Sequence, residues 1–313
     1  MTDKVVAPKT FKANSIISFI NDCAPIFSYK GKRRAGFELD VSRVKECSMI
    51  GVLLVYKIME YCSKQQCFTR PMISIKSEFA ASMERYGFTK LITACVEDPE
   101  RARRELRDLK ITIQNSFIMA PQALLKSDRY TAEMLNKNYL PQIEAYYKNQ
   151  PALISMVFQC LSEVLLNFWE HAVDDTESVI VAHGTKGAVE IACADNGKGI
   201  ISTLRGAGKE RRDDVSTLMS AVEKGVTSKE LTNHMGYGLW IVDQIVSHAK
   251  GRLHLYSEGS YYQNEYGKIK AGTCGYWQGT VVYLSLPVAN PVNLSDIEKD
   301  MKGRQDSIQI KWS

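Results

Sequence analysis

The order of apolar and polar positions divides the chain into two stretches of different rhythm. Residues 37–44, FELDVSRV, alternate with a period of two and predict a strand. MIGVLLVYKIMEYC, residues 49–62, is apolar on all sides and reads as a buried helix. MISIK (72–76) and EFAASMERYGF (78–88) repeat that strand-then-helix order, which implies a small α/β domain over residues 1–95. A charged segment, VEDPERARRELRDLK (96–110), reads as a helical linker.

The second stretch opens with ITIQNSFIMA (111–120) as the first strand of a second sheet, followed by an amphipathic helix near 131–148. The next helix runs from Pro151 to about Val173, with proline at the first position, where its fixed φ suits a helix start. Strands follow near 178–183 and 188–194, then a polar stretch (201–214), a short helix near 215–224 and a glycine-opened helix over 236–249. Strands near 252–258 and 280–286 close the pattern, and the tail, 288–313, carries little. The expectation is an α/β chain of two domains, each with its own core, and no internal repeat.

Composition narrows the class. With 313 residues and 45% hydrophobic content the chain has ample material for packed cores. No apolar stretch reads as a membrane span and MTDKVVAPKTFKANS lacks the apolar centre of a secretory leader, so a cytoplasmic protein is expected. Eight scattered cysteines without a C-x-x-C pair imply reduced thiols rather than a zinc site. Residues 1–95 hold 15 Lys/Arg against 8 Asp/Glu, a local charge of +7 within a net +5. The run Lys30, Lys32, Arg33, Arg34 leaves contact with nucleic acid open, but no aromatic interleaving or nucleic-acid motif accompanies it, and a solvated loop is the simpler reading.

Four short segments carry chemistry. On the helix PALISMVFQCLSEVLLNFWEHA, Glu163 and Asn167 lie four residues apart at the edge of an apolar stripe, so both aim in nearly one direction. Alone, such a pair also fits a solvated edge. VEIACADNGKGI is an apolar strand ending in Asp195, with Gly197 and Gly199 next, where backbone can approach a ligand closely. Alone, D-x-G-x-G is also a turn. Gly236 and Gly238 open an apolar helix, where unpaired N–H groups and the positive end of the dipole suit phosphate; a glycine turn for close packing is the alternative. Gly279 and Thr280 open the strand GTVVYLSLP, and the hydroxyl can bond a buried polar group.

In this order and spacing, the four segments resemble the Bergerat-fold or GHKL ATPases: gyrase B subunits, ninety-kilodalton heat-shock chaperones, sensor histidine kinases, mismatch-repair ATPases and anti-sigma-factor kinases. The resemblance covers about residues 110–287. It implies an α/β two-layer sandwich whose mixed sheet is covered by helices on one face, ATP as ligand and Mg²⁺ as its ion. Asn167 would then hold the metal and Glu163 would act as catalytic base. Asp195, with Thr280, would bind the adenine amino group, Gly197, Gly199 and Ile200 would pass under the base, and Gly236, Tyr237, Gly238 and Leu239 would cradle phosphates. The span 201–235 would be a lid ordered by nucleotide, contributing Thr227 and Lys229, with Lys224 and Ser228 as further options. His171 matches a family histidine that reaches a phosphate, although its angle also suits a packed core position.

All five histidines fall at or after residue 171, so no upstream phosphoacceptor histidine exists and a self-phosphorylating sensor kinase is disfavoured. Glu170, where sensor kinases carry lysine, points the same way. FELDVSRVKECSMIGVLLVYKIM followed by MISIKSEFAASMERYGF is similar to the sulfate-transporter and anti-sigma-antagonist (STAS) fold, with Met49 where the acceptor serine would stand and Ser48 one place earlier. That resemblance implies an interaction module and a regulatory protein partner. Three readings follow: an ATP-driven switch that hydrolyses slowly, a Ser/Thr kinase of the anti-sigma type, and a nucleotide sensor without turnover. Many relatives dimerise, which leaves a homodimer open.

Overall fold

The computed structural model describes residues 2–29, 36–65, 72–97, 119–124, 135–171, 178–227, 237–295 and 297. The N-terminal region builds a three-stranded parallel sheet from β1 (Thr2–Val6), β3 (Gly36–Asp40) and β5 (Met72–Ser74), in the order β1-β3-β5. Its connections are α1 (Ile16–Ser28) and α2 (Met49–Lys64), and α3 (Ser77–Arg85) and α4 (Thr89–Glu97) follow. A two-residue pair, β2 (Thr10–Phe11) with β4 (Glu46–Cys47), ties the start of α1 to the start of α2. The strand β1 and helix α1 went unread, although α1 sets Ile16, Phe19, Ile20, Cys23, Ile26 and Phe27 at helical spacing on its buried side. The charged linker helix expected over 96–110 overlaps α4 only at its first two residues, and 98–110 lie outside the described residues, as does the Lys30–Arg34 run.

The second sheet has seven strands in the order β11-β10-β9-β12-β8-β7-β6. These are β6 (Met119–Leu124), β7 (Ser178–Gly184), β8 (Ala188–Ala194), β9 (Arg252–Ser257), β10 (Ser260–Glu265), β11 (Lys268–Thr273) and β12 (Thr280–Pro287). The α/β sandwich expected from the sequence is present, with one correction: every described ladder in this sheet is antiparallel, so the sheet is not mixed. The hairpin β10–β11 went unread because its turns lack Asn-Gly or Asp-Gly. Glu258–Gly259 and Tyr266–Gly267 all have positive φ (49°, 91°, 59° and 85°), the type I′ geometry that matches strand twist.

The helices of the second half lie on one face of this sheet, as expected, and the N-terminal region buries the other. Ile180, Ile191, Cys193, Leu255, Val282 and Leu284 point to α6 (Pro151–His171) and α9 (Gly238–Ala249). Val179, Val181, Ala192, Ala194, Val281 and Tyr283 point the other way, into one continuous core with the N-terminal region. Strand side chains alternate between faces, so a sheet covered twice reads as an unbroken apolar run, which is why β7 is buried at all seven positions. Helix α2 fills the second interface and is buried at every position from Met49 to Cys62. Two of those positions are charged. Lys57 bonds Glu60 at 2.6 Å, and Lys64 reaches the same carboxylate at 2.9 Å, the pairing that buried charge requires.

Within α6, Pro151–Phe168 is apolar and long enough to cross a membrane by length and composition, contrary to the sequence expectation. Here it is a core helix lying on the sheet. Short helices α5 (Leu140–Tyr146), α7 (Ile200–Gly206) and α8 (Asp214–Ser220), with a 3-10 turn at Ala13–Ser15 and a π-helical turn at Leu135–Tyr139, complete the described elements.

Candidate functional site

The directions of α6 and α9 decide where the four motif segments meet. Tyr147, just before α6, donates to the carbonyl of Thr185 in the β7–β8 turn at 3.0 Å, and the Val292 N–H points to Met156 Sδ at 3.4 Å. The start of α6 therefore lies at the Ala188/Pro287 end of the sheet, where those two residues are paired. At 1.5 Å per residue, Asn167 stands about 16 Å beyond Met156, toward the Ala194/Val281 end. Helix α9 runs the opposite way. It ends at Lys250, left-handed at φ 57°, and a Cβ on Gly251 would meet the Ser285 carbonyl at 2.5 Å. Its first turn thus shares the far end with Asp195, Ser257 and Thr280.

At that end the helices touch. A Cβ on Gly238 would lie 2.7 Å from Glu163 Oε2 and 3.3 Å from Asn167 Nδ2, so a side chain there would displace the Glu163 carboxylate and crowd the Asn167 amide. Glu163 and Asn167 are half-buried. Gln159 donates to Glu163 Oε1 at 2.7 Å, and Asn167 Nδ2 donates to the Glu163 carbonyl at 2.7 Å. With its NH₂ bonded back along the helix, the group that Asn167 can still offer a ligand as acceptor is its amide oxygen. No described side chain caps α9, so its first-turn N–H groups have no partner within the helix. Tyr237 occupies the N-cap position, and Lys224 Nζ stands 5.8 Å from its ring and 5.7 Å from that of Trp240. Leu239 turns its side chain into the core.

The other half of the end is tightly bonded. Asp195 is 2% exposed; its N–H donates to the Thr280 carbonyl at 3.0 Å, and its Oδ1 accepts from the Gly197 N–H at 2.8 Å. Gly279, at φ 87°, lies where a Cβ would collide with Asp195. Thr280 is buried, with its Oγ1 3.5 Å from Ser257 Oγ. Ser257 also accepts from the Ile200 N–H at 3.0 Å and donates to the Gly279 carbonyl at 2.9 Å. Glu258 caps α7, accepting from the Ser202 N–H at 2.8 Å and from the Ser202 hydroxyl, and a Cβ on Gly199 would strike it. Ser257, Glu258 and Gln159 escaped the sequence reading. Single Ser, Glu and Gln residues carry no spacing signal.

The polar segment 201–214 holds helix α7, which buries Ile201 and Leu204, and Asp213 caps α8, where a short helix was expected, through the Ser216 N–H at 2.7 Å. Helix α8 packs on β10. Thr227 is half-buried at the end of a described segment, whereas Ser228, Lys229 and Gly236 lie outside the described residues. His171 is the last residue of α6, and its side chain is not among those described.

A buried network fixes the direction of α9. Asp243 Oδ1 accepts from Tyr262 and from Asn264 Nδ2, both at 2.8 Å, and Asn264 also donates to Ser247 at 2.7 Å. Burial pushes the Asp243 carboxyl above its ordinary value, against the lowering effect of those two bonds.

The end as a whole pairs a buried carboxylate under glycines with a helix start that no described side chain caps, beside a carboxylate and a side-chain amide. No curated protein compared with the chain matches it. Residues 153–290 match the family described as Histidine kinase-, DNA gyrase B-, and HSP90-like ATPase, and that stretch is an ATP-binding domain of the GHKL type.

Proposed function

We propose that the chain is a cytoplasmic switch that binds Mg-ATP at the Asp195/Gly238 end of its large sheet, hydrolyses it slowly and controls a regulatory protein partner. The observation that carries this reading is Gly238 lying against both Glu163 and Asn167, which brings a carboxylate, a side-chain amide and the first turn of α9 to one point. Asp195, with Thr280 behind it, accepts the amino group of adenine, and Gly197, Gly199 and Ile200 run beneath the base. The α9 start, with Tyr237, receives phosphate oxygens. Mg²⁺ suits an amide oxygen with phosphates and waters as its other ligands, and when bound it neutralises phosphate charge. Glu163, oriented by Gln159, takes the proton of the attacking water.

In this reading the chain divides into a STAS-like module at 1–95, a linker at 96–110, the ATP domain at 111–287 with a lid over 201–235, and a tail. Thr227 and Lys229 belong to the lid, and the phosphates are reached also by Gly236 and His171. The runner-up is phosphate transfer to protein. Ser48 as internal acceptor is disfavoured, because its hydroxyl is held by the Phe11 carbonyl at 3.3 Å.

Incubation with γ-labelled ATP and Mg²⁺ decides among them. Free labelled phosphate is the expected product; label on a partner or on this chain would make it a kinase, and neither would make it a sensor. Asn167→Ala should remove the Mg²⁺-dependent part of nucleotide affinity, and equal affinity with and without the substitution would overturn the metal assignment.

A further inference from the structure

Between β11 and β12, residues 274–279 join the N-terminal region to the base end of the site. Asn21 on α1 accepts from the Gly275 N–H at 2.5 Å. A Cβ on Gly275 would lie 2.6 Å from Asn21 Cα and from the Ile20 carbonyl, so glycine alone lets α1 come this close. Two residues on, Trp277 is fully buried. Its ring meets Phe27 of α1 edge-on, with centroids 5.2 Å apart at 62°. Its indole N–H donates to the main-chain carbonyl of Asp195 at 3.0 Å, and its own carbonyl accepts from the Glu258 N–H at 3.1 Å.

The peptide groups on either side of the Asp195 Cα are thus held from two directions, by Thr280 at the N–H and by Trp277 at the carbonyl. A carboxylate at the end of a strand points where those peptides aim it. Gln278 adds a bond from its Nε2 to the Asn196 carbonyl at 2.8 Å, so the same loop also holds the next residue. An indole N–H in a dry setting has no water to replace a lost acceptor, which makes its bond a firm constraint.

We propose that Trp277 is a positioning residue for base recognition: it aims Asp195 through the main-chain carbonyl, and α1 seats it, so the N-terminal region sets the affinity of the site for adenine. This rests on the reading that Asp195 binds the adenine amino group. The phosphate end, built from α6 and α9, does not pass through this loop. Disturbing Trp277 therefore affects discrimination between adenine and guanine, which differ in the group that Asp195 faces.

The test is calorimetry of ADP and GDP on the full chain. Trp277→Phe keeps a ring but deletes the donor, and should weaken ADP about tenfold while leaving GDP nearly unchanged, so the ADP/GDP preference falls by the same factor. Asn21→Ala, on an exposed residue remote from the nucleotide, should lower that preference about threefold in a folded protein. If Trp277→Phe leaves the preference intact, whether or not both affinities drop, the proposal is overturned. Should that variant fail to fold, an unchanged preference in Asn21→Ala overturns it instead. Asp195→Ala separates the two levels: if it leaves the preference intact, the base-recognition reading fails. If it abolishes the preference while Trp277→Phe does not, only the role of Trp277 fails.

Discussion

The two halves of the nucleotide end are built on opposite plans. At the base half, Asp195, Ser257, Gly279 and Thr280 bond one another and leave little freedom. At the phosphate half, no described side chain caps the start of α9, and Glu163, bonded by Gln159, and Asn167 stand half-buried beside it. The difference separates two tasks. A surface that distinguishes one base from another has to be rigid before the ligand arrives, since the cost of ordering would otherwise come out of its selectivity. A surface that handles phosphate and a metal has to leave donors and acceptors unspent.

The comparison breaks most decisively at Glu163. Glu163→Ala should cut ATP turnover by about 10²- to 10⁴-fold with ADP affinity unchanged, and a fully active variant would remove Glu163 from the chemistry. Gly279→Ala should act on the base half in the opposite manner, abolishing adenine binding and lowering stability by roughly 2–4 kcal/mol in melts. A side chain there must adopt φ 87° and displace Asp195. Stability retained to within about 0.5 kcal/mol would show that the base half is looser than its bonds suggest.

Acid should loosen the sheet independently of either half. Burial lowers the His254 pKa from 6.5 to about 4, partly opposed by Glu265 at 3.1 Å, while Tyr256 and Tyr283 flank the ring. The unfolded chain takes up this proton at higher pH than the folded one does. The stabilising contribution is therefore complete above pH 6.5 and is lost progressively as pH falls from there through about 4. Denaturant midpoints of His254→Phe should be flatter over that window, and an unaltered slope would remove His254 as the source. The smallest effect belongs to Asp243→Asn, which keeps an acceptor for Tyr262 and Asn264 and removes a carboxyl whose charge burial opposes. Stability at pH 7 should stay within about 1 kcal/mol or rise, and a larger loss in thermal melts would mean that the charge itself anchors α9.

Much of this architecture is legible in the residue order, and the reasons are local. Glu163 and Asn167 share a helix edge because of the 3.6-residue period, Asp195 follows an apolar strand, and glycines stand where helix starts or strand turns come close to other chain. The α2 helix announced its burial by having no polar face, although the Lys57–Glu60 pair inside it could not be foreseen from composition. Tertiary structure alone decided the rest. An apolar strand reads alike whether one face or both are covered by unknown partners, so nothing in β7 said that α2 would cover its second face. Likewise Trp277 is one tryptophan in a glycine-bearing loop until folding brings it to a carbonyl 82 residues away. Contacts between distant segments depend on where both chains run, and side-chain periodicity carries no record of that.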